Sequence, residues 1–160
     1  MNSEAQHLRV TPGTDFDDAT VVYAAAAHQC FQQLQDAASR LASILLVMSF
    51  ERSRHALDHA TREAAASQIM QGRECFMALK PTHRVGHFHR HLCRGLERLI
   101  SSSHAIDQTL ANKAQALDPL PLLVDGWREL ECASKCLPGF EVVDFSHSCC
   151  AQHSADLGRG

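Results

Sequence analysis

Histidines recur at regular intervals in the middle of the chain. His83, His87 and His91 follow one another at four-residue spacing, and in a helix this spacing stacks three imidazoles on one face. Two imidazoles four residues apart are a common way for a helix to bind zinc, copper or iron. The segment therefore offers candidate metal ligands.

Arginines share this segment. Arg90, Arg94 and Arg98 repeat the four-residue spacing, and on a helical wheel they project to the same side as the histidines. A basic face on a chain with net charge -3 favours an anionic partner such as an acidic protein surface. Nucleic acid is less favoured because no helix-turn-helix or aromatic stacking motif accompanies the arginines. The alternative is an ordinary solvated face.

A second cluster of potential ligands lies towards the C-terminus. Two cysteines stand four residues apart on a predicted helix, and further thiols and imidazoles follow that helix. Zinc and other soft divalent metals prefer these ligand types. If the C-terminal segment folds back on the helix, it would gather a metal site from Cys132, Cys136, Cys149, Cys150, His147 and His153.

The same cysteines support two other interpretations. Their C-x3-C-x12-C-C spacing matches no zinc ribbon or zinc finger. Adjacent thiols such as Cys149 and Cys150 suit a redox switch, and exposed thiols without a function can form intermolecular disulfides on oxidation. The odd total of seven cysteines argues against a complete disulfide framework and for reduced thiols.

The composition indicates the fold class. A chain of 160 residues with 45% hydrophobic content fits one globular domain. Aromatic residues are scarce at 6% and alanine is abundant, which favours closely packed helices over a sheet. The longest apolar run, Ile44 to Met48, is too short to cross a bilayer, and the N-terminus lacks a signal-peptide pattern. A soluble, cytoplasmic protein is expected.

Apolar residues at three- and four-residue spacing predict four helices. Prolines at 81, 119, 121 and 138 mark the ends of the second and fourth helices and the start of the fourth. Short connections favour an antiparallel, up-down-up-down four-helix bundle over residues 15–139, with a flexible N-terminal lead at 1–14 and an extended, Cys/His-containing C-terminal arm at 140–160. The predicted helices cover about 15–48, 55–79, 82–117 and 119–137.

A helical wheel of the third helix places its apolar stripe, Leu92, Leu96 and Leu99, opposite the histidines. The histidines are therefore predicted to face solvent as part of a pH-sensitive basic docking surface. The fourth helix contains no histidine, which argues against a metal centre inside the bundle. Metal capture by the histidine face would need ligands from a second chain.

The end of the first helix indicates self-association. The segment Ile44 to Phe50 is apolar on every side, and a monomer with helices of unequal length would leave part of it uncovered. A homodimer is therefore expected.

No motif of a known enzyme class is present: the chain has no Walker loop, no dinucleotide-binding glycine motif and no nucleophile elbow. The sequence favours a non-catalytic accessory or regulatory protein that binds a partner through the basic His/Arg face or the C-terminal arm. The alternative function is a metal-binding or thiol-redox sensor, with zinc or another soft divalent metal as cofactor.

Overall fold

The computed structural model describes residues 17–50, 59–137 and 139–140 of the chain. Within them the fold is all-helical, with four helices and no strand, as predicted. The predicted N-terminal lead, the connection between the first two helices and all of the C-terminal arm after Phe140 lie outside the described residues. The helices are α1 (Asp18–Ser49), α2 (His59–Ala78), α3 (Gly86–Leu110) and α4 (Pro119–Ser134).

Helices α1 and α4 both begin at an aspartate. The carboxylate of Asp17 accepts a hydrogen bond from the backbone N–H of Thr20 at 2.9 Å. The Thr20 side chain first, and then this backbone N–H, lower the pKa of Asp17 by hydrogen bonding. Asp118 accepts a bond from the backbone N–H of Leu120 at 3.0 Å, with Pro119 in the first turn. Each cap satisfies a backbone donor that the helix itself leaves unpaired.

Helix α3 ends earlier than predicted, at Leu110 and not at Leu117. Asn112 has a left-handed backbone conformation with φ 54°, which asparagine tolerates better than most residues. The backbone N–H groups of Asn112 and Lys113 bond back to Thr109 and Gln108 at 3.1 and 3.0 Å. This is the Schellman pattern that closes helices, and the asparagine was its signal in the sequence.

The core contains one apolar stripe from each helix. Phe31, Leu34 and Leu41 of α1 are at most 1% exposed, as are Phe88, Leu92 and Leu99 of α3. Cys30 is fully buried within the α1 stripe, as predicted, and its thiol donates to the carbonyl oxygen of Gly72 at 3.3 Å. Phe140, just after α4, closes the core against Phe31 and Phe88, at ring-centroid distances of 5.3 and 4.5 Å.

Glycines set the close contacts between helices. Gly95 of α3 lies against Leu130 of α4, and Gly126 of α4 lies against Arg98 and Leu99 of α3. Further along the same pair, the buried hydroxyl of Ser102 donates to the carbonyl oxygen of Pro119 at 3.0 Å. Without Cβ atoms at positions 95 and 126, α3 and α4 approach each other closely.

The apolar end of α1 is only partly uncovered. Ile44 and Met48 are buried, at 2% and 7% exposure, whereas Leu46 and Phe50 are 62% and 58% exposed. Part of this apolar segment is therefore uncovered, as expected from the sequence, while the two residues that face the core are buried. None of the described helices is long and apolar enough to span a membrane.

Candidate metal centre

The predicted basic face of α3 is only partly exposed to solvent. Arg90, Arg94 and Arg98 are exposed, as are His83 and His87. His91 is the exception, because its side chain is only 16% exposed.

His91 points towards α4, which corrects the prediction that all three histidines face water. The helical wheel assigned the buried face from large apolar side chains alone and gave no weight to Gly95. Gly95 lies one turn after His91 and is buried against Leu130. Helix α3 thus has a second buried face, formed around a residue with no side chain. The packing of α4 on this face covers His91.

A carboxylate orients the His91 ring. Its Nδ1 lies 2.6 Å from Oε2 of Glu129, whose side chain is 25% exposed. A carboxylate only accepts, so the imidazole Nδ1–H donates. In the neutral ring, Nε2 is then unprotonated and accepts a hydrogen bond from Nε2–H of His87 at 3.3 Å, a contact that a bound metal would replace. Metal-binding histidines are commonly held by this kind of carboxylate contact.

Cys136 completes a three-residue group. Its Sγ and one ring nitrogen each from His87 and His91 all lie within 4.8 Å of one another. Cys136 is half-buried in the turn after α4, where its backbone N–H bonds to the carbonyl of Ala133 at 2.9 Å. Burial and the neighbouring Cys132 raise the pKa of its thiol.

The separation of the two imidazole nitrogens fits a tetrahedral zinc site. Two nitrogen ligands about 2.0–2.1 Å from Zn²⁺ at a tetrahedral angle are about 3.3 Å apart, and the two Nε2 atoms are 3.3 Å apart. A thiolate ligand would lie about 3.6 Å from each nitrogen, and Cys136 Sγ lies within 4.8 Å of both imidazoles. Its thiol donates to the carbonyl oxygen of Cys132 at 3.1 Å, a contact that a thiolate ligand would give up.

The structure brings only some of the predicted ligands together. Cys136 joins two histidines that were assigned to the basic face, whereas Cys132 is exposed and outside the group. His83 is also outside it. A second chain is not needed for three ligands, since α3 and the end of α4 supply them. His147, Cys149, Cys150 and His153 lie outside the described residues.

His89, which the sequence did not single out, has a structural position. Its ring stacks on Phe76 at a centroid distance of 4.6 Å, and its Nδ1 lies 2.9 Å from the hydroxyl oxygen of Tyr23. Burial lowers the pKa of His89 because the charged ring would lose solvation. In the sequence, its position next to Phe88 on the apolar stripe indicated that His89 packs against the core.

An apolar groove runs along the other side of α4, between α4 and α1. It encloses about 590 Å³. One wall has the small residues of α1 and the other has the larger residues of α4. The lining residues are Ala38, Ser39, Ala42, Leu120, Leu123, Val124, Trp127, Arg128 and Glu131.

Comparison of the chain with protein-family models, with curated protein sequences and with solved structures gave no match.

Proposed function

We propose that this protein is a zinc-binding regulatory protein and that His87, His91 and Cys136 are the protein ligands. The observation that carries the proposal is the convergence of three ligand atoms of suitable types, from α3 and from the turn after α4, within 4.8 Å. This corresponds to the metal-binding alternative from the sequence, with two imidazoles replacing some of the expected thiols.

The choice of zinc rests on the ligand types and on Glu129. Two imidazoles and one thiolate form a borderline-soft set that suits tetrahedral Zn²⁺. The Glu129 carboxylate, 2.6 Å from Nδ1 of His91, fixes the tautomer in which Nε2 is available to a metal. Three protein ligands leave the fourth position to water or to another ligand.

The regulatory part of the proposal rests on where the ligands lie in the chain. His87 and His91 belong to the first half of α3, whereas Cys136 follows the end of α4. Zinc would therefore link the end of α4 to α3. The end of α4 would be more rigidly held when zinc is bound than when it is absent. A partner protein that binds only one of these two states would respond to the zinc concentration.

The contacts also support the antiparallel topology as part of the proposal. Along α3, His91 contacts Glu129, Arg98 and Leu99 lie against Gly126, and Ser102 contacts Pro119. Residue numbers thus fall along α4 as they rise along α3. An up-down-up-down arrangement has this property for neighbouring helices.

Partner binding through the basic face stays a prediction. Arg94 and Arg98 line a surface cleft together with Glu97 and Glu129. The two carboxylates offset the positive charge of the arginines there, which weakens the attraction for an anionic partner.

Titration of the reduced, metal-free protein with Co²⁺ and then Zn²⁺ tests the zinc site. One equivalent of Co²⁺ should give a thiolate-to-cobalt charge-transfer band, and one equivalent of Zn²⁺ should remove it. Cys136→Ser should abolish the band, and His87→Gln should weaken metal binding at least tenfold, because each removes a ligand.

Cys132→Ser and His83→Gln are the matched controls, since each changes an exposed residue four positions from a proposed ligand. Both should keep the band and the affinity. Loss of the band in Cys132→Ser but not in Cys136→Ser would contradict the ligand assignment. The absence of stoichiometric binding to the wild-type protein would overturn the proposed function.

A further inference from the structure

Large apolar side chains are exposed in and next to the α1–α4 groove. They come from the end of α1, from the connection before α4 and from the first turns of α4. Their exposed fractions lie between 39% and 64%. Leu46, Leu120 and Val124 line the groove, and Phe50 and Leu117 are the chain neighbours of the lining residues Ser49 and Asp118.

The groove continues past Leu120 towards the end of α1. A second stretch of about 460 Å³ shares Ala42, Leu120 and Leu123 with the first. The two stretches therefore form one groove, which extends to Leu46 and Ser49 of α1. Small side chains on the α1 wall leave space for the large apolar side chains of a facing molecule.

On α4, Leu120, Val124 and Trp127 lie at i, i+4 and i+7, so they share one face of the helix. The indole N–H of Trp127 donates to Oε1 of Glu131 at 3.0 Å, which fixes the ring beside the groove. At about 100° per residue, Glu129 projects to the opposite side of α4, and it contacts His91 there. The groove and the zinc ligands are thus on different faces.

The charged residues of the groove allow one ion pair between two copies. Asp118 lines one end of the groove, Arg128 and Glu131 line the other, and the lining residues of α1 are uncharged. Glu131 accepts from the Trp127 indole, so Arg128 is the residue that would pair with Asp118 of the second copy. A two-fold axis near Val124 would place the Arg128 end of one copy over the Asp118 end of the other. Arg128 contacts Asp125 of its own chain at 3.8 Å on the surface. An exposed ion pair of this kind is weak, so Arg128 could leave Asp125 to pair with Asp118 of the second copy.

The exposed apolar area is also large enough for a dimer interface. Five large apolar side chains exposed to this degree present on the order of 500 Å² per copy. Two copies would bury on the order of 1,000 Å² of apolar surface, and the polar rim would bring the total to about 1,200–2,000 Å², the usual size of a stable interface.

We infer that the α1–α4 groove is covered by the same groove of a second copy, which gives a two-fold symmetric dimer. Leu120 and Val124 of each chain enter the groove of the other, against Ala38 and Ala42. The interface is isologous, so each contact occurs twice. Because it lies on the far side of α4, the dimer does not depend on the zinc site.

Sedimentation velocity at protein concentrations between 1 and 100 μM tests the dimer. The metal-free protein is used, so that the result does not depend on zinc binding. The wild-type chain should sediment as a dimer. Val124→Glu on α4 and Leu46→Glu on α1 should each raise the dissociation constant roughly 30-fold or more, because each buries an unpaired charge at the interface.

Met77→Glu is the matched control, since Met77 is 74% exposed on α2, away from the groove. It should leave the dimer intact, and circular dichroism should show the same helix content in all variants. A monomeric wild-type chain at 100 μM would overturn the inference. So would equal weakening by Met77→Glu and Val124→Glu, or a monomer whose groove binds an amphipathic helical peptide.

Discussion

At the scale of single residues, Glu129 has a role that can be separated from that of the ligands. Its carboxylate contacts Nδ1 of His91 and no ligand atom of the proposed centre. We expect Glu129→Gln to weaken zinc binding about 10–100-fold, as is typical for the loss of an outer-shell partner. The thiolate-to-cobalt band should remain, because Cys136 is unchanged.

Glu97→Gln is the control for this variant. Glu97 is an exposed carboxylate of α3 that accepts from the thiol of Cys93 at 3.7 Å and does not contact an imidazole in the structure. Zinc affinity should be unchanged in Glu97→Gln. Equal affinities for the wild type and Glu129→Gln, measured by competition with a zinc indicator, would show that Glu129 does not support the site.

The thiols should also differ in reactivity. Burial, with a contribution from nearby Cys75, raises the pKa of Cys30 to about 12, and Cys30 has no exposed surface. Only thiolates react readily with iodoacetamide. At pH 8 the folded protein should therefore be alkylated at exposed Cys132 and not at Cys30, as peptide mass spectrometry can show. Denaturation should make both react, and equal labelling in the folded protein would contradict the burial of Cys30.

At the scale of the helices, the contact between α3 and α4 depends on glycine. A Cβ at position 126 would lie 3.2 Å from both Arg98 Cβ and Leu99 Cδ2. Arg98 Cβ is attached to the backbone and Leu99 is fully buried, so the helices would have to separate. Overpacking of this kind costs about 1–3 kcal/mol, which exceeds the gain of about 1 kcal/mol from replacing glycine by alanine in a helix.

Gly86 provides the matched comparison, because a Cβ there would have no atom within 4 Å. Gly86→Ala should raise the free energy of unfolding, whereas Gly126→Ala should lower it, with a difference of about 2 kcal/mol between the two. Urea denaturation followed by circular dichroism measures both. A Gly126→Ala variant as stable as Gly86→Ala would show that α4 can shift without cost.

Apolar periodicity was sufficient to predict the helices but not all of their contacts. The stripe of α1 and its burial of Cys30 follow from spacing alone, because large apolar side chains mark the buried face. Gly95 and Gly126 also lie on buried faces, but glycine carries no apolar side chain that a wheel could register. The covered position of His91 could not be predicted for this reason.

At the scale of the whole molecule, metal binding should stabilise the fold. A ligand that binds only the folded state at 100 times its dissociation constant adds about 2.7 kcal/mol. For a chain of this size, that would raise the melting temperature by about 5–10 °C. We expect this increase with Zn²⁺ for the wild type and for Cys132→Ser.

Cys136→Ser should melt at the same temperature with and without zinc, measured by differential scanning fluorimetry. An equal increase in wild type and Cys136→Ser would mean that zinc binds elsewhere on the chain.

The residues of the candidate site could be predicted from the sequence one by one, but their grouping into one site could not. Histidine spacing selected His87 and His91, and cysteine spacing selected Cys136, but as parts of two separate clusters. Whether residues 45 positions apart meet depends on the register between α3 and α4, and that register is set by glycine contacts and by the Ser102–Pro119 hydrogen bond. Neither leaves a periodic pattern in the sequence.

The position of Phe140 sets the earliest time at which the core can be completed during synthesis. Its ring packs against Phe31 of α1 and against Phe88 of α3. About 30 residues separate the end of α3 from Phe140, which takes a ribosome about 2–6 s to add. During that interval the nascent chain displays apolar side chains of α1 and α3 to chaperones and to neighbouring nascent chains.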